Sequence, residues 1–115
     1  MKVIIAGSRT GILANDVFDA WIASGFNITE VVSGCARGVD SDGEYIADQK
    51  GIPVRRFPAD WDGLGKRAGY IRNAQMAEYA DALIAVWDGK SRGTAHMIET
   101  MRKLGKQVYV HRVEV

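Results

Sequence analysis

The sequence predicts one α/β domain spanning residues 1–115, built on an open parallel sheet of five strands with helices on both faces. Short apolar runs alternate with longer amphipathic stretches along the chain, in the order βαβαβαβαβ. Several of the runs are almost continuously apolar, which is typical of strands that are covered on both faces. Strands that alternate with helices in this way form parallel sheets with right-handed crossovers.

The strands and helices are predicted one after another along the chain. The predicted strands occupy residues 2–6, 30–33, 53–57, 82–86 and 107–113. The four helices begin near Asn15, near Val39, near Arg67 and shortly before Met97. Asn15 is a favoured N-cap residue, and a glycine follows the second and the fourth helix, as is common at helix C-termini. The segment 58–66 is expected to be irregular, and loops of that length in small domains are often functional.

Apolar residues recur at helical spacing in each of these helices and mark the face predicted to lie against the sheet. In chain order these residues are Val17, Phe18, Trp21 and Ile22, then Val39, Gly43, Ile46 and Ala47, then Met76, Tyr79 and Ala80, and finally Met97, Ile98, Met101 and Leu104.

The composition narrows the class of protein. The chain has 15 Lys and Arg against 14 Asp and Glu, a formal charge of +1, whereas proteins that bind nucleic acid usually have a clear basic excess. We therefore expect a small anionic ligand rather than a nucleic acid. The lone Cys35 cannot form an internal disulfide, and the apolar run at residues 3–6 is too short for a signal peptide or a membrane span. We expect a cytoplasmic protein without a membrane partner.

Loops that contain glycine follow the first, second and fourth strands. The carboxyl ends of parallel strands share one edge of the sheet, where ligands of open α/β sheets bind. Glycine lets a ligand reach the backbone, and a turn that leads into a helix presents free N–H groups to an anion. One such loop is an ordinary turn, but three at one edge favour a phosphate site. The residues predicted to bind the ligand are Gly7, Ser8, Arg9, Ser33, Gly34, Arg37, Asp40, Asp88, Gly89, Ser91, Arg92, Gly93 and Thr94.

Arginines accompany these loops, and each has two interpretations. Arg9, Arg37 and Arg92 either bind phosphate through their planar guanidinium groups or are solvated surface charges. Arg72 is different, because it lies four residues before Met76 on the inward-leaning face of the third helix. We therefore expect Arg72 to reach the site.

Each acidic or aromatic residue near the same edge also has two possible roles. Asp40 and Glu44 are one helical turn apart and either bind a ribose hydroxyl or act as acid and base. Alternatively, Asp40 caps the second helix or binds Arg37. Asp88 either holds a ribose or makes its own turn. Trp61 either stacks on a base or packs as a lid on its own domain.

Several known site motifs do not occur in the sequence. No Gly-Lys-Ser/Thr follows a glycine at Walker A spacing, and the first loop lacks the G-x-G-x-x-G pattern of dinucleotide-binding sites. No spacing of cysteine and histidine suggests zinc or a nucleophile pair. We expect neither a metal nor a cofactor.

Taken in order, the motifs resemble those of the SLOG superfamily. This group includes the Lonely-guy phosphoribohydrolases, the Rossmann domain of DNA-processing protein A and the small YspA/YpsA-type proteins of bacteria and phages. The motifs that carry the resemblance are Gly7-Ser8-Arg9, Ser33-Gly34-Cys35-Ala36-Arg37-Gly38-Val39-Asp40, Arg72-Asn73-x-x-Met76, Ala80-Asp81-Ala82 and Gly93-Thr94. Those that look most like the YspA-type branch are Phe57-Pro58-Ala59-Asp60-Trp61 and Gly65-Lys66-x-Ala68-Gly69.

The resemblance, which covers essentially the whole chain, implies a Rossmann-like domain that binds a nucleotide and forms a homodimer or a higher homo-oligomer. It places the phosphate at the start of the helix that Gly93-Thr94 opens. Our leading hypothesis is a binding module or sensor for a nucleotide or an ADP-ribose-like ligand. A single-stranded DNA-binding domain like that of DNA-processing protein A is a third hypothesis, which the near-zero charge disfavours.

The second hypothesis is an N-glycosidase that acts on nucleoside monophosphates. The resemblance implies that Arg72 matches the catalytic arginine of the Lonely-guy enzymes. In this hypothesis Arg72 acts with an acid such as Glu44, Asp40 or Asp88. Those enzymes also use a glutamate three residues after a threonine that matches Thr94, and here Met97 stands at that place. This departure weakens the hydrolase hypothesis.

Overall fold

The computed structural model describes residues 1–114. Within them, five strands and five α-helices alternate, and a 3₁₀ turn at Gly65–Arg67 separates the third helix from the fourth. The elements are β1 (Lys2–Gly7), α1 (Ala14–Ser24), β2 (Glu30–Ser33), α2 (Val39–Gln49), β3 (Val54–Arg56), α3 (Trp61–Leu64), α4 (Ala68–Tyr79), β4 (Ala82–Trp87), α5 (Arg92–Lys103) and β5 (Gln107–Arg112).

The five strands form one parallel sheet in the order β3-β2-β1-β4-β5. β1 lies at the centre and pairs with β2 on one side and with β4 on the other. The predicted fold class, a Rossmann-like open parallel sheet with helices on both faces, is therefore confirmed. The strand order reverses between β1 and β4, and the crevice beyond the carboxyl ends of those two strands is where such sheets bind ligands.

Helices cover both faces of the sheet, so each strand contributes alternate side chains to two separate cores. On one face, α1 and α2 pack over a cluster centred on Val3, Ile5, Val31 and Ile84. On the other face, α4 and α5 pack over a cluster that includes Ile4, Leu83, Met76 and Met101. This double burial explains why the strands read as continuous apolar runs.

The first helix begins earlier than predicted, and its buried face is narrower. Its N-cap is Leu13, and the side chain of Asp16 accepts a hydrogen bond from the Leu13 N–H at 3.2 Å. Asn15 as N-cap was therefore wrong. Phe18 and Ile22 were wrongly assigned to the core, because they are 42% and 60% exposed.

The buried stripe of α1 is formed by Val17, Ala20 and Trp21, at i, i+3 and i+4. Residues one position further along point about 100° away from this stripe, in the direction of solvent. Leu104 was also wrong as a core residue: it lies just beyond the end of α5 and is 44% exposed.

The segment after β3 is more regular than the sequence suggests. α3 and the 3₁₀ turn occupy most of the predicted irregular region. Asp60 begins α3 by accepting a hydrogen bond at Oδ1 from the Gly63 N–H, at 2.9 Å. Within residues 1–114, no helix combines the length and the apolar character needed to cross a membrane.

Candidate functional site

A cavity of about 330 Å³ opens at the carboxyl ends of β1 and β4, where the strand order reverses. The turns after β1, β2 and β4 contribute to it, together with the facing sides of α4 and α5. Its lining residues are Ala6, Gly7, Ser8, Arg9, Thr10, Ala36, Asp40, Arg72, Asn73, Met76, Asp88, Ser91, Gly93, Thr94 and Met97.

The floor of the cavity is held by contacts between the ends of β1 and β4. A side-chain carbon on Gly7 would overlap the carbonyl oxygen of Val86, so only glycine lets the two strands approach this closely. The Ser8 N–H donates to the same carbonyl at 3.3 Å, and the buried Ser8 Oγ accepts from the Asp88 N–H at 3.3 Å. The two strand ends are therefore fixed relative to each other before any ligand binds.

The turn after β4 is braced by its own side chains. Asp88 Oδ1 accepts hydrogen bonds from the N–H groups of Lys90 and Ser91, at 2.8 and 2.9 Å. These bonds hold the pKa of Asp88 below its ordinary value. Trp87 Nε1 donates to the Ser91 carbonyl at 3.1 Å. These hydrogen bonds fix the shape of the turn into α5, and they occupy one carboxylate oxygen of Asp88.

The first turn of α5 presents uncapped backbone to the cavity. The first N–H groups of a helix have no acceptor within the helix, and no side chain caps them here. The hydroxyls of Ser91 and Thr94 lie 3.2 Å from each other instead. A carbon added to Gly93 would find no atom within 4 Å, so the backbone at Gly93 is open.

The turn after β2 is closed by the side chain of Arg72. Arg72 Nη1 donates to the carbonyl oxygen of Gly34 at 2.5 Å. A carbon on Gly34 would stand 2.8 Å from the same nitrogen and 3.0 Å from Asp40 Oδ2. Arg72 and Asp40 therefore occupy the space beside the Gly34 main chain, and this turn reaches the cavity through Ala36 and Asp40.

Asp40 is a buried carboxyl in the cavity wall, with 6% of its surface exposed. Burial raises its pKa from 3.8 to about 6, although the hydrogen bond from the Ala36 N–H and the nearby Arg72 charge act in the opposite direction. Burial also lowers the pKa of Arg72. An acid with a pKa near 6 can exchange its proton close to neutral pH.

Asn73, which the sequence showed only as part of a motif, joins α4 to the start of α5. Its Oδ1 accepts from Arg72 Nε at 3.1 Å, and its Nδ2 donates to the Gly93 carbonyl at 3.2 Å. Nδ2 also lies 3.2 Å from His96 Nδ1. Because arginine can only donate hydrogen bonds, the Asn73 amide must point its oxygen at Arg72 and its nitrogen at Gly93. Asn73 therefore fixes the position of Arg72 relative to Gly93. The signal in the sequence was a polar residue three positions before Met76, on the face of α4 that packs against the sheet.

Of the predicted site residues, nine line the cavity: Gly7, Ser8, Arg9, Asp40, Arg72, Asp88, Ser91, Gly93 and Thr94. Arg37 and Arg92 are exposed and do not line it. Gly89 lies against the guanidinium of Arg112.

Glu44 and Ser33 are bonded to each other, away from the cavity. Ser33 Oγ donates to Glu44 Oε2 at 2.6 Å, and Glu44 Oε1 accepts from Arg56 Nε at 2.9 Å. These bonds tie α2 to β2 and β3. They leave Asp40, rather than Glu44, as the acid beside Arg72.

Met97 lies at the place where the resemblance puts a catalytic glutamate. It is buried and lines the cavity, so that position does face the site but carries an apolar side chain. Glu99 is exposed and forms an ion pair with Lys103 at 3.0 Å. Within residues 1–114, no group of three histidine, cysteine or acidic side chains is arranged to hold a metal ion.

Comparisons with known proteins place this geometry in context. The chain matches no known family model. It is 35% identical over 114 residues to the Gene 61 protein of Mycobacterium phage D29, covering 90% of each chain. The X-ray structure of DNA processing protein A (DprA) from Streptococcus pneumoniae superposes with a TM-score of 0.78 at 20% identity, over 95% of this chain. The chain spans about half of that protein, 49% of its length, and the two share the fold.

Proposed function

The chain belongs to the same family as the Gene 61 protein of Mycobacterium phage D29, and we propose that it is a binding module or sensor for a small, phosphate-bearing nucleotide or ADP-ribose-like ligand. We also propose that it belongs to the YspA/YpsA-type branch of the SLOG superfamily. The observation that carries the functional proposal is the uncapped first turn of α5, which borders the cavity at the switch point of the sheet.

An anion fits this turn for two reasons. The free N–H groups at the start of a helix donate to phosphate oxygens, and the helix dipole favours negative charge there. Gly93 needs no positive φ and has no neighbour that a side chain would displace. The protein's own packing therefore does not require glycine at position 93. The close approach of a ligand to the backbone would require it.

Cationic and hydroxyl side chains in the cavity wall supply further hydrogen-bond donors for a phosphate. Arg9 and Arg72 line the cavity, as do the hydroxyl-bearing Ser8 and Thr94. A guanidinium binds phosphate through two parallel hydrogen bonds, and hydroxyls suit both phosphate and ribose. The volume of about 330 Å³ is within the range of small-molecule sites.

Isothermal titration calorimetry with AMP, ADP-ribose and adenosine tests the proposal. We expect the two phosphate compounds to bind and adenosine to bind far more weakly, with inorganic phosphate as a competitor. Thr94→Val should weaken AMP binding about 10-fold, because it removes a hydroxyl beside the phosphate. Thr100→Val, in the same helix, is the matched control, since its hydroxyl bonds to the His96 carbonyl.

Absence of binding by folded protein to all the phosphate compounds would contradict the proposal. A salt-dependent gel shift with single-stranded DNA would instead support the nucleic-acid hypothesis. Assembly into a homodimer or a higher homo-oligomer stays a prediction, which sedimentation equilibrium tests.

A second candidate function, N-glycosidic cleavage of a nucleoside monophosphate, is favoured by one observation. Asp40, with its pKa raised by burial to about 6, lies beside Arg72 in the same cavity. The carboxyl would supply acid or base chemistry, and the guanidinium would stabilise charge on the ligand. Release of free base from AMP that Asp40→Asn and Arg72→Ala each abolish would establish this activity; no release at high protein concentration would remove it.

A further inference from the structure

The three tryptophans differ in what surrounds their rings. Trp21 is buried and the ammonium of Lys50 lies over it, at 5.8 Å from the ring centre. Trp87 has the guanidinium of Arg112 at 5.9 Å and donates its Nε1–H to the Ser91 carbonyl. Trp61 is 49% exposed, and within residues 1–114 no aromatic ring or cation packs on its faces. The ring of Trp61 is therefore free on a large part of its surface.

Trp61 belongs to a short helix, α3, in which no residue is fully buried. The helix therefore contributes little to the hydrophobic core. It is held at its start by the bond from the Gly63 N–H to Asp60, and it follows the carboxyl end of β3, at the same edge of the sheet as the cavity. The segment thus places a large aromatic ring at the ligand-binding edge.

Gly69 brings Trp61 next to Arg72. The place that a side-chain carbon on Gly69 would occupy lies 3.2 Å from Trp61 Cη2 and 3.8 Å from Arg72 Nη2. The end of the indole and the guanidinium therefore lie close to the same point. Arg72 lines the cavity and Trp61 does not, so Trp61 lies near the part of the cavity wall that Arg72 forms.

Resting on the proposed function, we infer that Trp61 is the surface on which the aromatic base of the ligand stacks, with Arg72 between the base and the phosphate site. A ligand with phosphate at the start of α5 and ribose in the cavity would extend past Arg72 to this ring. Stacking on an aromatic side chain accepts any base, because every base has a π-face. The ligand class is then a mononucleotide or a dinucleotide-like molecule, and a sugar phosphate without a base binds more weakly.

Calorimetry with AMP and with ribose 5-phosphate separates this inference from the proposed function. Wild-type protein should bind AMP about 10-fold or more tightly than ribose 5-phosphate, a ratio in the range that one stacked base supplies. Trp61→Ala should weaken AMP binding to the level of ribose 5-phosphate and leave ribose 5-phosphate itself unchanged. Trp61→Phe should retain most of the AMP affinity, because a phenyl ring also offers a face for stacking.

Tyr45→Ala is the matched control, because Tyr45 is a 65% exposed aromatic residue on α2, outside the cavity lining. Equal affinity of the wild type for AMP and ribose 5-phosphate, or unchanged AMP binding by Trp61→Ala, would overturn the inference and leave the phosphate site standing. Failure of both compounds to bind would overturn the proposed function and this inference together. Tighter binding of oligothymidylate than of TMP would overturn the mononucleotide assignment in favour of a single strand.

Discussion

The β2–α2 turn and the β4–α5 turn both carry glycine at the carboxyl edge of the sheet, and both lead into a helix, but their backbones have different surroundings. Around Gly34, the protein's own Arg72 and Asp40 occupy the space next to the main chain. Around Gly93, that space is empty and borders the cavity. The first turn is closed by side chains, and the second is open to a ligand.

This difference shows that glycine at a ligand-binding edge has two separate causes. Where the protein's own atoms fill the space beside the glycine, as at Gly7 and Gly34, a substitution lowers the stability of the fold. Where that space is open, as at Gly93, a substitution lowers the affinity for a ligand. Filling each position in turn, or altering the side chains that close the β2–α2 turn, tests this distinction.

The largest effect is expected at Gly7. Gly7→Ala would drive a methyl group into the Val86 carbonyl, and neither backbone can move without breaking the pairing of β1 with β4. We expect a loss of about 3 kcal/mol or more in the free energy of unfolding. Urea unfolding measures it, and a variant as stable as the wild type would show that the two strands are not held this closely.

The next effect concerns the carboxyl that helps to close the β2–α2 turn. Burial raises the pKa of Asp40 from 3.8 to about 6, so the folded state binds this proton more tightly than the unfolded state. The resulting stabilisation is complete below about pH 4 and is lost as the pH rises through about 6. The loss amounts to about 3 kcal/mol.

Asp40→Asn should remove this part of the pH dependence, because the amide keeps an acceptor for the Ala36 N–H without a charge. Urea unfolding of both proteins from pH 4 to pH 8 gives the comparison. The expected result is a difference in stability that grows with pH in favour of the variant. A constant difference over this range would mean that Asp40 titrates normally.

Gly34→Ala should have an intermediate effect. The added methyl would meet the end of the Arg72 side chain, which can move, rather than backbone, which cannot. We expect a cost of about 1–3 kcal/mol in unfolding free energy, since Arg72 would lose its bond to the Gly34 carbonyl. Nucleotide affinity should fall as well, because Arg72 would be displaced within the cavity. Unchanged stability together with unchanged affinity would show that the turn is not closed.

Much of the fold was predictable from the sequence. All five strands lie within about two residues of their predicted ends, because strands buried on both faces leave continuous apolar runs such as that of β4. The face of α1 was less predictable, since Phe18 and Ile22 have core-like chemistry and only their angular position excludes them. α3 has no apolar periodicity, so no sequence pattern predicted this helix.

The site was predictable only in outline. Glycines and a helix start led to the correct edge of the sheet, but the roles of individual residues depend on distances across the chain. Arg72 closes over Gly34 across 38 positions, and Asn73 reaches Gly93 across 20. Such contacts leave no local pattern in a single sequence.

The substitution Gly93→Ala tests the central claim most directly, because the open turn predicts opposite results for folding and for binding. The free energy of unfolding should change by less than about 1 kcal/mol, in the stabilising direction, since alanine is the better helix former and has room. AMP affinity by calorimetry should fall about 10-fold or more, because the methyl group would hold phosphate away from the helix start. A variant that binds AMP as well as the wild type would contradict the account.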